Sequence, residues 1–214
     1  MNGKTKKLTT IAMLCTITYV VMAVGRIPVV LFLKYDPSDV IVALSGFIWG
    51  PTTSCIVSVA VAVIEMITVS ETGIWGCIMN IIQTLSFACT AAVIYKKKHT
   101  LAGAVSGLAA GWIIATAVML LWNYLMTPIY MGYPREAVAE MLVPVFLPFN
   151  LLKGGLNAAF TFLLYKPVVT ALRKSGYVST VENGTRRRHT GLILLALLII
   201  ITCILFLLSM NGII

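Results

Sequence analysis

Val40-Ile-Val-Ala-Leu-Ser-Gly-Phe-Ile-Trp-Gly-Pro-Thr-Thr-Ser-Cys-Ile-Val-Ser58 decides how this chain folds. Read without interruption, it belongs to one apolar helix over residues 40–69. Read as broken at Gly50-Pro51, it makes two passes, and every later loop changes side. With one helix and an inside N-terminus, Lys96-Lys97-Lys98-His99 would face outward, against the tendency of Lys and Arg to stay cytoplasmic. A Gly-Pro pair interrupts a helix readily. The break is therefore the better reading. Its first piece, about 40–50, covers only ~16 Å at ~1.5 Å per residue. Such a segment needs extended chain or protein shelter to complete a crossing.

Outward from this break, apolar runs lie near residues 8–25, 75–95, 101–126 and 143–167, with a separate tail run near 191–210. Of 214 residues, 59% are hydrophobic and 11% charged, at a mean hydropathy of +0.97. Soluble domains sit nearer ~45–50% apolar and ~25% charged. The expected fold is an all-α polytopic membrane protein of the cell membrane. Residues 1–175 form a six-helix core with one short second helix. A basic linker follows over 176–190, then an additional C-terminal transmembrane helix within 191–214. No small-x-small cleavage site follows Lys4, Lys6 and Lys7, so the first segment is expected to stay as a span.

Six passes place both ends of the core, the N-terminus included, in the cytoplasm. Lys4, Lys6, Lys7, Lys96, Lys97, Lys98, Lys166, Arg173, Lys174 and Arg186-Arg187-Arg188 then lie inside. Arg26, Lys34 and Arg135 fall outside with Asp36, Asp39, Glu71, Glu136 and Glu140, and Lys153 is within the membrane. The net charge of +9 is thus a topology signal in the flanks, and no nucleic-acid partner is inferred. The lipid bilayer is the expected surrounding. Cys15, Cys55, Cys77, Cys89 and Cys203 are scattered through apolar segments without metal-ligand spacing. His99 and His189 sit in basic flanks. No HExxH, GxSxG or P-loop pattern occurs, so neither an enzyme nor an ATP-binding chain is expected. Uphill transport would draw its energy from a partner or an ion gradient.

Polar residues inside the spans are costly in hydrocarbon and mark functional sites. Asn150, Lys153 and Asn157 stand three and four residues apart, on one helical face. Asn123 and Tyr124, Asn80 and Gln83, and Glu65 fall at a similar depth on other spans, and the first outer loop adds Tyr35 and Asp39. One such residue per span serves as interhelical glue worth ~0.6–2 kcal/mol. Several spans converging at one depth favour a ligand pocket. Taken singly, Lys153 would pair with Glu65 or snorkel to the surface. Asp39 reads first as a cap of the second helix and second as a ligand contact. Trp75, Trp122 and Tyr124 suit an interfacial belt or a planar ligand.

Five strings carry a family resemblance: Phe32-Leu-Lys-Tyr-Asp-Pro-Ser-Asp39, Gly46-Phe-Ile-Trp-Gly-Pro51, Thr72-Gly-Ile-Trp-Gly76 through Met79-Asn80, Asn123-Tyr124 and Pro148-Phe-Asn-Leu-Leu-Lys-Gly154. In this order, over about residues 8–175, the chain resembles the riboflavin-specific S component (RibU type) of energy-coupling factor (ECF) transporters. The resemblance implies a six-helix subunit that binds riboflavin from outside as transported substrate, with no cofactor. It also implies a transmembrane coupling subunit and two ABC-type ATPases as partners. Carried over, Asn123, Asn150 and Lys153 contact the flavin ring. Asn80, Tyr35, Asp39, Tyr124 and Asn157 stand nearby. Ala12 and Thr16 on the first helix match, imperfectly, the small-residue docking pattern. The rival readings are an S component for another vitamin, thiamine or folate, and a membrane scaffold whose polar residues only join helices.

Overall fold

The structure, a computed structural model, describes residues 3–30, 33–70, 72–174 and 190–210. Glu71, most of the 176–190 linker with Arg186-Arg187-Arg188, and residues 211–214 lie outside the described residues. Helix α1 (Gly3–Gly25) leads into a hairpin of β1 (Ile27–Val30) and β2 (Leu33–Tyr35). The strands are antiparallel, pairing Ile27 with Tyr35 and Pro28 with Lys34, with a register irregularity before Val30. Helix α2 (Ser38–Trp49) descends from the hairpin and α3 (Pro51–Thr68) returns.

The turn between α2 and α3 falls at Gly50-Pro51. Gly50 has φ 95°, a left-handed value open to glycine, and its N–H returns to Gly46 O at 3.0 Å. Pro51 occupies the first helical position, where a missing N–H costs nothing. Helix α2 has only 12 residues, and most are buried, from Ser38 through Phe47. It is the sheltered short pass the sequence called for: α1, α3 and α8 all pack around it. Within this packing Ser45 Oγ of α2 and Ser54 Oγ of α3 both donate to Val42 O.

Two of the remaining passes contain a π-helical turn. Helix α4 (Gly73–Thr84) runs through a π turn (Leu85–Cys89) into α5 (Thr90–Lys98). After α6 (Leu101–Met131), α7 (Arg135–Met141) runs through a second π turn (Leu142–Phe146) into α8 (Leu147–Lys174). The second π turn holds Pro144, and Pro148 follows its end after one intervening residue. Neither proline can donate to the helical ladder, so local widening accommodates them. Lys96, Lys97 and Lys98 end α5, where cations complement the helix dipole. His99 then turns left-handed at φ 44°, and Thr100 Oγ1 accepts from Gly103 N at 3.1 Å to start α6.

Helix α6 packs closely through glycines on α5 and on the π turn that precedes it. A Cβ on Gly111 would lie 2.5 Å from Phe87 O, and one on Gly107 would lie 2.7 Å from Ala91 O. Both obstacles are backbone and cannot swing aside. Gly111→Leu is therefore expected to lower the thermal midpoint of the detergent-purified chain, at an overpacking cost of ~1–3 kcal/mol. An unchanged midpoint would show that the two helices are not held at this separation.

The tail helix α9 (Thr190–Met210) buries Ala196 and Ile200 against the α8 side while most of its leucines and isoleucines stay exposed. Among the described residues it also touches β1. Among the described residues, five helical spans are long and apolar enough to cross a membrane by themselves. With the short α2 and the tail helix α9 alongside them, the chain is a predominantly helical polytopic protein with a small hairpin.

Candidate substrate-binding site

At the hairpin end of the bundle an open cavity of about 900 Å³, its mouth included, lies between the loop, α3, α4, α6 and α8. Each wall follows from local sequence. The Leu147–Lys174 helix presents Asn150 and Lys153 one turn apart, both buried and both on the cavity. Asn150 Nδ2 donates to Phe146 O at 2.8 Å, leaving its carbonyl for a guest. On α6, Asn123 Nδ2 donates to Met119 O at 2.8 Å, and Thr127 Oγ1 donates to Asn123 Oδ1 at 3.3 Å. These local bonds fix the orientation of both amides.

Helix α4 supplies Trp75, Met79, Asn80 and Gln83. The close approach of Gly76 to Thr72 opens this wall, since a Cβ there would meet Thr72 Oγ1. Leu33, Met119 and Phe149 complete an apolar lining. A charged cluster closes the loop side: Arg26 Nη2 lies 2.5 Å from Glu65 Oε1 and 3.4 Å from Asp36 Oδ2. Asn80 Nδ2 donates to the other Glu65 oxygen at 2.7 Å. The cavity thus combines flat apolar walls, an amide-and-ammonium side on α6 and α8, and a charged, hydroxyl-compatible side at the loop.

Of the residues singled out in the sequence, Asn80, Asn123, Asn150 and Lys153 meet on this cavity. Tyr35, Asp39 and Asn157 are buried just behind it and bonded to one another. Tyr35 Oη donates to Asn157 Oδ1 at 3.0 Å, and Asn157 Nδ2 donates to Asp39 Oδ2 at 3.2 Å. Burial, with Asp39 and Asp36 close by, pushes the Tyr35 phenol well above its usual value, so it stays a neutral donor. Tyr124 is turned away from the cavity lining and stacks under the Arg135 guanidinium, 5.8 Å from its ring centre. Trp75 lines the cavity, whereas Trp122 does not.

Two pairings differ from the sequence expectation. Lys153 pairs with Asp39, Nζ to Oδ2 at 3.8 Å, instead of with Glu65, because Arg26 and Asn80 already occupy both Glu65 oxygens. Asp39 does not cap α2: its carboxylate points inward, accepting Thr84 Oγ1 at 2.6 Å and Gln83 Nε2 at 3.5 Å. Asp36 does the local work, accepting from Ser38 N at 2.8 Å. Arg26 and Thr84 escaped the sequence reading as site residues. For Arg26 the available signal was a charge directly after the Gly25 helix end, beside a loop rich in aspartate.

Among the described residues no group of three His, Cys, Asp or Glu gathers to hold a metal ion. The family model "ECF transporter, substrate-specific component" matches residues 6–165. The chain belongs to this family. As an ECF S component it is the substrate-binding part of a transporter, a multi-pass membrane protein and not an enzyme.

Its relatives include the riboflavin transporter RibU of Staphylococcus aureus (strain TCH60), 28% identical over 190 residues, covering 81% of this chain and 100% of the relative. The riboflavin transporter FmnP of Bacillus subtilis (strain 168) is 30% identical over 177 residues, covering 76% and 92%. The solved S component of a bacterial ECF transporter matches with a TM-score of 0.66 at 29% identity, covering 79% of this chain and 99% of that one. The family match ends at residue 165, within α8, and α9 lies beyond it.

Proposed function

We propose that this S component binds riboflavin in the hairpin-end cavity and passes it across the membrane with a transmembrane coupling subunit and two ABC-type ATPases. The observation that carries the reading is the meeting of Asn123, Asn150 and Lys153 on one cavity with apolar walls, in a chain whose relatives are riboflavin transporters. The isoalloxazine ring is flat and largely apolar, with carbonyls and an N–H along one edge. Amides satisfy donor and acceptor together, and the ammonium donates to a carbonyl oxygen. Trp75, Met79 and Phe149 offer flat or adaptable apolar contact. The ribityl hydroxyls match the polar loop side, with Arg26, Asp36, Glu65 and Asn80.

Charge placement supports an outward-facing cavity. Lys96, Lys97 and Lys98 stand at the opposite end of the bundle from the hairpin, so the positive-inside tendency puts the hairpin outside and the N-terminus in the cytoplasm. Ala12 and Thr16 are exposed on one face of α1, with the Thr16 hydroxyl folded back onto Ala12 O at 3.0 Å. This small-residue face is where the coupling subunit docks. The test is reconstitution: in proteoliposomes, riboflavin accumulation is expected only with coupling subunit, ATPases and ATP all present. Accumulation by the S component alone at the same rate would contradict the reading.

A further inference from the structure

Lys153 is a boundary residue. It lines the open cavity and also a smaller polar chamber behind it, which Asp39, Ser58 and Thr84 share. Asp39 lines only the chamber, at 3% exposure, so a ligand in the cavity does not reach it. Its carboxylate nevertheless gathers α4 and α8, through Thr84, Gln83, Asn157 and the Lys153 ammonium.

Asn157 stands behind Asp39 and is 1% exposed. Its amide faces two ways, with the carbonyl accepting Tyr35 Oη and the NH₂ donating to Asp39. An unbroken side-chain path therefore runs Tyr35–Asn157–Asp39–Lys153, from the second hairpin strand to the cavity wall. All four members are buried. In such surroundings each bond is strengthened and water cannot replace a lost partner. The hairpin reaches the cavity on its own account too, since Leu33 and Lys34, next to Tyr35, line it.

We propose that Tyr35, Asn157 and Asp39 are positioning residues: they aim the Lys153 ammonium into the cavity and tie it to the β1–β2 hairpin. A ligand held by Lys153 and a seated hairpin then stabilise each other, because any coupling between two sites is reciprocal. This inference rests on the riboflavin reading of the cavity. It assigns to three side chains that never touch the ligand a share in its affinity. A role as helix glue alone predicts something else, namely lower stability with affinity independent of Lys153.

A double-mutant cycle on the full-length, detergent-purified chain separates the two, with riboflavin fluorescence quenching and thermal unfolding as readouts. Tyr35→Phe removes one hydroxyl and keeps the ring. It is expected to weaken riboflavin binding about five-fold in the native background and less than about two-fold in the Lys153→Met background. Should Lys153→Met fail to fold by stranding the Asp39 carboxylate, the Asp39→Asn/Lys153→Met pair takes its place as background. Equal losses in both backgrounds would overturn the proposal, as would a lowered midpoint with unchanged affinity. A native chain with no saturable quenching would instead overturn the riboflavin reading and this proposal with it. That failure is recognisable because no variant is involved.

Discussion

Lys153→Ala is expected to weaken riboflavin binding by about 10- to 100-fold and to lower the stability of the empty protein as well. Two losses combine. The cavity loses its ammonium donor, so a flavin carbonyl is left without a partner at a cost of ~1–3 kcal/mol. Asp39, buried and paired to Lys153 at 3.8 Å, is left as an uncompensated carboxylate, and breaking a buried pair costs up to ~3–5 kcal/mol. The lower part of that range applies, since Thr84, Gln83 and Asn157 still donate to Asp39. The two losses separate in the Asp39→Asn/Lys153→Met variant. Stability should return toward the native value because no charge is stranded, while affinity should stay low. Equilibrium titration alongside thermal unfolding checks both. Native affinity in both Lys153→Ala and Asn150→Ala would remove α8 from the ring-binding wall.

Bulk on the exposed face of α1 should give the opposite pattern. Ala12→Trp or Thr16→Trp is expected to abolish ATP-driven riboflavin accumulation, by at least about tenfold, while leaving the affinity of the isolated chain within about two-fold. Helix association in lipid depends on close backbone approach across small residues, and an indole at either position holds the partner away. Neither residue lines the cavity, and both side chains face outward. Uptake assays in proteoliposomes and co-purification with the coupling subunit measure the effect. Full uptake with both tryptophans present would place docking on another face.

The sequence made the architecture legible where a single physical rule applied. Gly50-Pro51 combined a glycine-dependent backbone angle with a proline at a helix start, and the lysine run at 96–98 fixed which alternative was consistent. The stripe of Asn150, Lys153 and Asn157 was visible from spacing alone, and all three are buried on one face of α8. What spacing could not show is depth. Asn150 and Lys153 face the cavity, whereas Asn157, one turn further along, meets Asp39 and Tyr35 behind it.

Partner choice was the other limit. The sequence offered Glu65 or the surface for Lys153, and the packing of α2 against α8 gives it Asp39 instead. The π turn at Leu142–Phe146, directly before α8, leaves no periodic signature in the sequence. Arg26 read as a loop charge because it follows the first span directly. Its role at the cavity appears only when the hairpin folds Asp36 beside it and α3 brings Glu65 to the same place.

The central claim is that this S component holds riboflavin in the cavity formed by Asn123, Asn150 and Lys153. The most direct measurement is a fluorescence titration of riboflavin into the detergent-purified chain, with the absorbance spectrum of the preparation recorded first. The account predicts saturable, one-to-one quenching that Lys153→Ala shifts to at least about tenfold higher concentration. A colourless preparation with no saturable quenching would contradict it.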